Sequence, residues 1–207
     1  MDKIKIEICC GSAGDVLAAA GAGADRVELN SALFLGGLTP SLGALELART
    51  AQVELMAMVR PREGGFCYTQ EEFCTMLLDA RRLLDAGADG IVFGFLHEDG
   101  TVDVRRCQAM LEVIGTRQSV FSRAIDVVPD WRAGLEALCA LGVTRVLTSG
   151  QAPTAPEGAD TIRARTDRDP ARLRRAAEQR RLAAGAHRLP SAPCLPEDRP
   201  AGPLGHA

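Results

Sequence analysis

Residues 4–30 read IKIEICCGSAGDVLAAAGAGADRVELN, and this stretch decides the fold. Ile4, Ile6 and Ile8 alternate with Lys5, Glu7 and Cys9, which is the period of a β-strand over Ile4–Cys9. Ser12 then stands where a helix N-cap belongs, with Asp15 following it, and a helix over Ser12–Ala22 stops at Gly23. Arg26–Asn30 is a second apolar-periodic strand. Two short strands joined by one helix form a right-handed crossover, so the strands run parallel.

The same unit recurs along the chain. Strands are expected at Val53–Arg60, Gly90–Leu96, Ser119–Ala124 and Thr144–Thr148. Helices are expected at Ser41–Thr50, Thr69–Ala86, Asp103–Ile114 and Pro129–Leu141, and at about 157–168. Thr69 with Glu72 has the spacing of a capping box, and Pro129 suits a first helical turn. Gly23-Ala24-Asp25 and Gly87-Ala88-Asp89 each read as a helix stop followed by a short loop into a strand. Repetition of one unit predicts the α/β class and a TIM-type (β/α)8 barrel, here incomplete with about six strands. No Gly-x-Gly-x-x-Gly follows the first strand, which argues against a dinucleotide-binding fold.

Composition narrows the setting. A net charge of −3 gives no reason to expect nucleic acid or an anionic membrane as partner. No apolar run approaches the length of a membrane span. Seven scattered cysteines, an odd number, suit a reducing cytoplasm better than a disulfide framework. Residues 1–168 therefore read as a partial barrel. Residues 169–207 differ: Pro, Arg and Ala make up 22 of the 39, with no Val, Ile, Phe, Tyr or Trp. This tail is expected to be disordered, either as a natural extension or as a frameshift product of GC-rich coding DNA.

In a parallel barrel the outward strand face packs on helices and the inward face can be polar. With Ile4, Ile6 and Ile8 packed outward, Lys5, Glu7 and Cys9 turn inward. Val27 and Leu29 outward place Arg26, Glu28 and Asn30 inward. Val53, Leu55, Ala57 and Val59 outward place Glu54, Met56, Met58 and Arg60 inward. Buried charges persist only when paired, so these groups form a ligand pocket at the strand ends, a register-fixing ion network, or both. In the pocket reading Arg60 and Arg62 grip a carboxylate or phosphate, with Arg26 and Arg123 as further anion-binding candidates. Glu7, Glu28 and Asp126 are the candidate acid, base or ligand groups. Cys9 and Cys10 are candidate Cu(I) ligands, since Cu(I) prefers sulfur. Vicinal residues on a strand point to opposite faces, so Cys9, turned inward with Met56 and Met58, is the better of the two.

Several motifs resemble one family. They are Glu7-Ile8-Cys9-Cys10, Gly23-Ala24-Asp25-Arg26-Val27-Glu28-Leu29, Gly36-Gly37-Leu38-Thr39-Pro40-Ser41, Val59-Arg60-Pro61-Arg62, Gly65-Phe66-Cys67-Tyr68, Asp99-Gly100-Thr101-Val102-Asp103 and Arg145-Val146-Leu147-Thr148-Ser149-Gly150-Gln151. In this order and spacing they resemble the CutC copper homeostasis proteins. The resemblance covers residues 4–151 and fades by about Arg168. It implies a cytoplasmic protein that handles Cu(I) and a barrel that self-associates. It also implies C-terminal truncation or a frameshift, since the family's seventh and eighth strands have no counterpart in 169–207. Two further departures are Ser122, where the family has His, and Asn30, where it often has Cys. Beside copper handling, the residues leave open an enzyme acting on a small anionic substrate and a non-functional truncated product.

Overall fold

The computed structural model describes residues 4–166. Strands and helices alternate without exception: β1 (Glu7–Cys10), α1 (Ala13–Gly21), β2 (Arg26–Leu29), α2 (Leu42–Arg49), β3 (Glu54–Met58), α3 (Gln70–Asp85), β4 (Gly90–Phe93), α4 (Val104–Ile114), β5 (Gln118–Phe121), α5 (Trp131–Leu141), β6 (Arg145–Val146) and α6 (Ala159–Thr166). The six strands form one sheet in the order β1-β2-β3-β4-β5-β6, and every neighbouring pair is parallel. The sheet curls into an open, incomplete barrel whose edges are β1 and β6. The expected tail at 169–207, with its disorder or frameshift, lies outside the described residues.

Local chemistry sets the helix starts. The Ser12 hydroxyl accepts the Asp15 N–H at 3.1 Å and opens α1. Thr69 and Glu72 form the full capping box of α3, with reciprocal bonds of 3.2 and 2.8 Å. At α5 the structure differs from expectation. Asp130, not Pro129, begins the helix, because its carboxylate accepts the N–H groups of Arg132 and Ala133. β5 also ends earlier than expected. Residues Arg123–Val127 coil into a 3-10 turn after Ser122, whose hydroxyl accepts the Ala124 N–H at 3.3 Å.

The alternation of faces produces two apolar layers. Leu55, Ala57 and Val59 of β3 join Val27, Leu29 and the helices in the outer core. Met56 and Met58 instead meet Val92, Val120 and Leu147 in a small inner cluster. β1 departs from the expected outward packing. Only Cys10 is fully buried there, while Ile4, Ile6 and Ile8 are 88%, 59% and 40% exposed. The physical reason is position: β1 is an edge strand of the open sheet, with a neighbouring strand on one side alone.

Candidate functional site

The strand starts converge on an ion network at one end of the barrel interior. Arg26 donates to Glu7 at 2.7 Å and lies 3.6 Å from Glu54. Arg145 donates to the same Glu7 oxygen at 2.9 Å, and Lys5 reaches Glu54 at 2.8 Å. Gln118 also donates to Glu54. Burial works to raise the Glu54 pKa, but the donors Lys5 and Gln118 and the nearby Arg26 charge outweigh it and hold the carboxyl low. Burial lowers the Arg145 pKa against the pull of Glu7. Glu7 and Arg26, both expected to face inward, thus meet in a structural network together with Arg145.

The opposite end holds a cavity of about 520 Å³ at the carboxyl ends of the strands, where parallel barrels carry their sites. Cys9, Glu28, Asn30, Met58 and Arg60 line one wall, and Ser122, Arg123 and Leu147–Ser149 face them. Glu28, only 3% exposed, accepts from the Asn30 amide at 3.1 Å through Oε1, and its Oε2 has no partner. Burial, with the Glu7 charge adding, raises its pKa against the opposing effects of Asn30 and Arg145. Asn30 Oδ1 and Arg60 Nε likewise lack partners. Each such buried, unmet group costs roughly 1–3 kcal/mol.

Arg60 is held by backbone. Its terminal nitrogens donate to the carbonyls of Leu35, Gly36 and Gly37 at 3.2–3.5 Å and of Gly64 at 2.7 Å. Its guanidinium also lies 5.1 Å from the centre of the Phe66 ring. No carboxylate of the described residues pairs with it. Arg62 lies outside the cavity lining. It grips Glu72 at 2.6 Å and the carbonyls of Glu63, Gly65 and Cys67. Asp126 organises the rim. It accepts from the backbone N–H groups of Ser149 and Gln151, from the Thr148 and Ser149 hydroxyls, and from Arg123 at 3.3 Å. Burial opposes ionisation there, yet these donors outweigh it and hold the Asp126 pKa low.

The two vicinal cysteines separate as the strand period requires. Cys9 opens onto the cavity with its sulfur 3.9 Å from Glu28 Oε1, whereas Cys10 is buried in the outer core. Burial, then the Glu28 and Glu7 charges, push the Cys9 thiol up to about 12. Burial raises Cys10 as well. Among the described residues no group of three or more His, Cys, Asp or Glu side chains is placed to hold a metal ion. No described helix is long and apolar enough to cross a membrane.

Sequence reasoning passed over Arg145 and the rim residues Thr148 and Ser149 as functional groups. Arg145 was detectable, because Val146 packs outward and its neighbour therefore turns in. The rim hydroxyls gave no local signal, since their partner Asp126 lies more than 20 residues away.

Known proteins share this architecture. The model of the CutC family matches residues 4–179. A family protein CutC of Treponema denticola is 60% identical over 163 residues, covering 78% of this chain and 66% of the relative. The copper homeostasis protein cutC homolog of Caenorhabditis elegans is 41% identical over 163 residues, covering 78% and 65%. The chain thus spans about two thirds of the length of the curated relatives it matches. The crystal structure of a CutC protein from Streptococcus agalactiae superposes with a TM-score of 0.73 at 28% identity, covering 86% of this chain and 85% of that one.

Proposed function

The chain belongs to the CutC family, and on that premise we propose that it is a cytoplasmic copper-homeostasis protein whose working site is the strand-end cavity, which takes a small anionic ligand. The copper link rests on the names of relatives such as the Caenorhabditis elegans homolog. The anion reading rests on one observation. Arg60 is 9% exposed, lines the cavity, and is held by backbone carbonyls and the Phe66 ring, with no carboxylate paired to it among the described residues. A buried cation without a counter-charge favours an anion that supplies one. Of the three candidate acid or base groups, Glu28 is the one that lines the cavity, so acid chemistry on a bound substrate falls to it.

A second reading, Cu(I) binding, is favoured by the Cys9 thiol and Met58 thioether sharing that cavity. Cys10 faces the other way, so this site would use Cys9 without it.

One pair of titrations on the purified, reduced chain tests both readings. Phosphate and short carboxylates are titrated by calorimetry, and Cu(I) is titrated against a competing chelator. The anion reading expects at least a tenfold loss of anion affinity in a folded Arg60→Gln variant; unchanged affinity overturns it. The Cu(I) reading expects loss of stoichiometric binding in Cys9→Ser, and retention there removes it.

A further inference from the structure

The cavity is divided by chemistry as well as by shape. Its charged inner wall offers a ligand little to touch. Glu28, Asn30 and Arg60 are buried, and Glu28 Oε2, Asn30 Oδ1 and Arg60 Nε are shut away from the open space. What a ligand meets is largely apolar. Leu33 is exposed, Phe66 and Leu147 are half-buried, and Pro153 and Ala155 of the loop after β6 are exposed. An ion as small as acetate or phosphate would leave most of the 520 Å³ to water, whereas ligand sites are largely filled by what they bind.

One cation of the lining is open to a ligand. The Arg123 side chain is 57% exposed. Its Nε donates to Asp126 at 3.3 Å, and its Nη2 donates to the Ser149 hydroxyl at 2.6 Å and to the Ala152 carbonyl at 3.5 Å. These bonds fix the guanidinium plane and leave Nη1 without a partner among the described residues. Thr154, on the same loop as Ala152, adds an exposed hydroxyl to the lining. Asp126 already balances the Arg123 charge. A single negative charge therefore fits better there than the double charge of phosphate, which would face Asp126 at close range.

We infer that the occupant is an amphiphilic monocarboxylate, its carboxylate on Arg123 Nη1 and the Thr154 hydroxyl and its apolar body against Leu33, Phe66 and Leu147. This rests on the anion-pocket reading above. Arg60 then acts through its charge from behind the wall, and Arg123 is the direct contact. The apolar body is what separates this ligand from other small anions. Each methylene covered by the lining strengthens binding about fourfold.

The test is calorimetric titration of the full chain with acetate, hexanoate, hexanol and inorganic phosphate. Hexanoate should bind at least about tenfold more tightly than acetate, which two covered methylenes are enough to give. It should exceed the uncharged hexanol by at least about the same factor, roughly the value of one charge-assisted hydrogen bond. In Arg123→Gln hexanoate should fall to the level of hexanol, whose own binding stays. Leu33→Ser, at an exposed side chain, keeps the inference open to refutation if Arg123→Gln does not fold: hexanoate should weaken severalfold there and acetate should not. Hexanoate binding no tighter than acetate or hexanol, tighter binding of phosphate, or undiminished hexanoate binding in either folded variant overturns the amphiphile inference. The anion pocket then stands or falls with the Arg60→Gln titration above. Binding of no anion by a folded chain overturns both.

Discussion

Glu7 at the start of β1 and Arg145 at the start of β6 are 138 residues apart in the chain, and their side chains meet at 2.9 Å. These are the two edge strands of the open sheet. Backbone hydrogen bonds do not join them, so a side-chain ion pair ties the first strand to the last. Arg26 donates to the same carboxylate from β2, which makes Glu7 the shared anchor of three strands.

Arg145→Met should therefore cost more than an exposed ion pair. Its side chain is 24% exposed and that of Glu7 is 16% exposed, so solvent screens the pair only in part. We expect a loss of about 1–3 kcal/mol, between the values for exposed and fully buried pairs. Urea unfolding of Glu7→Gln, Arg145→Gln and the double variant measures the coupling directly. A coupling near zero would mean that Arg26 alone satisfies Glu7 and that the edges are not tied this way.

Glu28→Gln should stabilise the protein at neutral and alkaline pH. Burial, with Glu7 beside it, raises the folded-state pKa of Glu28 above its ordinary value. A raised folded pKa favours folding fully below the unfolded value, about 4.3, and that contribution is lost as pH rises through the folded value. Glutamine keeps the shape and cannot ionise. The variant should match the wild type near pH 4 and exceed it above neutrality by about 2–4 °C in Tm. Parallel melting curves across that range would show that Glu28 ionises without penalty.

Much of this frame was legible in the sequence, and the failures share a cause. The Thr69 and Glu72 spacing gave α3 and its cap because both partners lie within one turn. Strand alternation correctly sent Glu7, Glu28 and Met58 inward, since side-chain direction on a strand is a local property. The same alternation expected Ile4, Ile6 and Ile8 to be covered, but cover depends on which element lies opposite, and that is not local. What residue type could not show is what holds Arg60 and Arg62 in place. Their partners are largely backbone carbonyls in the 35–37 and 63–67 loops, and a carbonyl leaves no mark on residue type. Pro129 suggested the start of α5, yet the Asp130 carboxylate caps the N–H groups of Arg132 and Ala133, so the helix proper begins at Trp131.

Gly37→Ala should disturb the pocket through a residue that holds no chemistry. Gly37 has φ +83°, where an L-residue is strained, and its new Cβ would fall on the space that Asn30 Oδ1 occupies. Asn30 cannot yield freely, because its amide is tied to the Glu28 backbone and side chain. Strain and displacement together should cost about 2–4 kcal/mol. Gly43 is the control. It lies in α2, and a methyl group added there would meet nothing within 4 Å, so Gly43→Ala should be neutral or stabilise by about 0.5–1 kcal/mol. Thermal melts of both variants give the comparison. If Gly37→Ala melts with the wild type, the chain has moved Asn30 aside at little cost, and the Asn30–Glu28 wall is not rigid. If it melts well below while Gly43→Ala does not, the glycine is present because Asn30 occupies the space where its side chain would be.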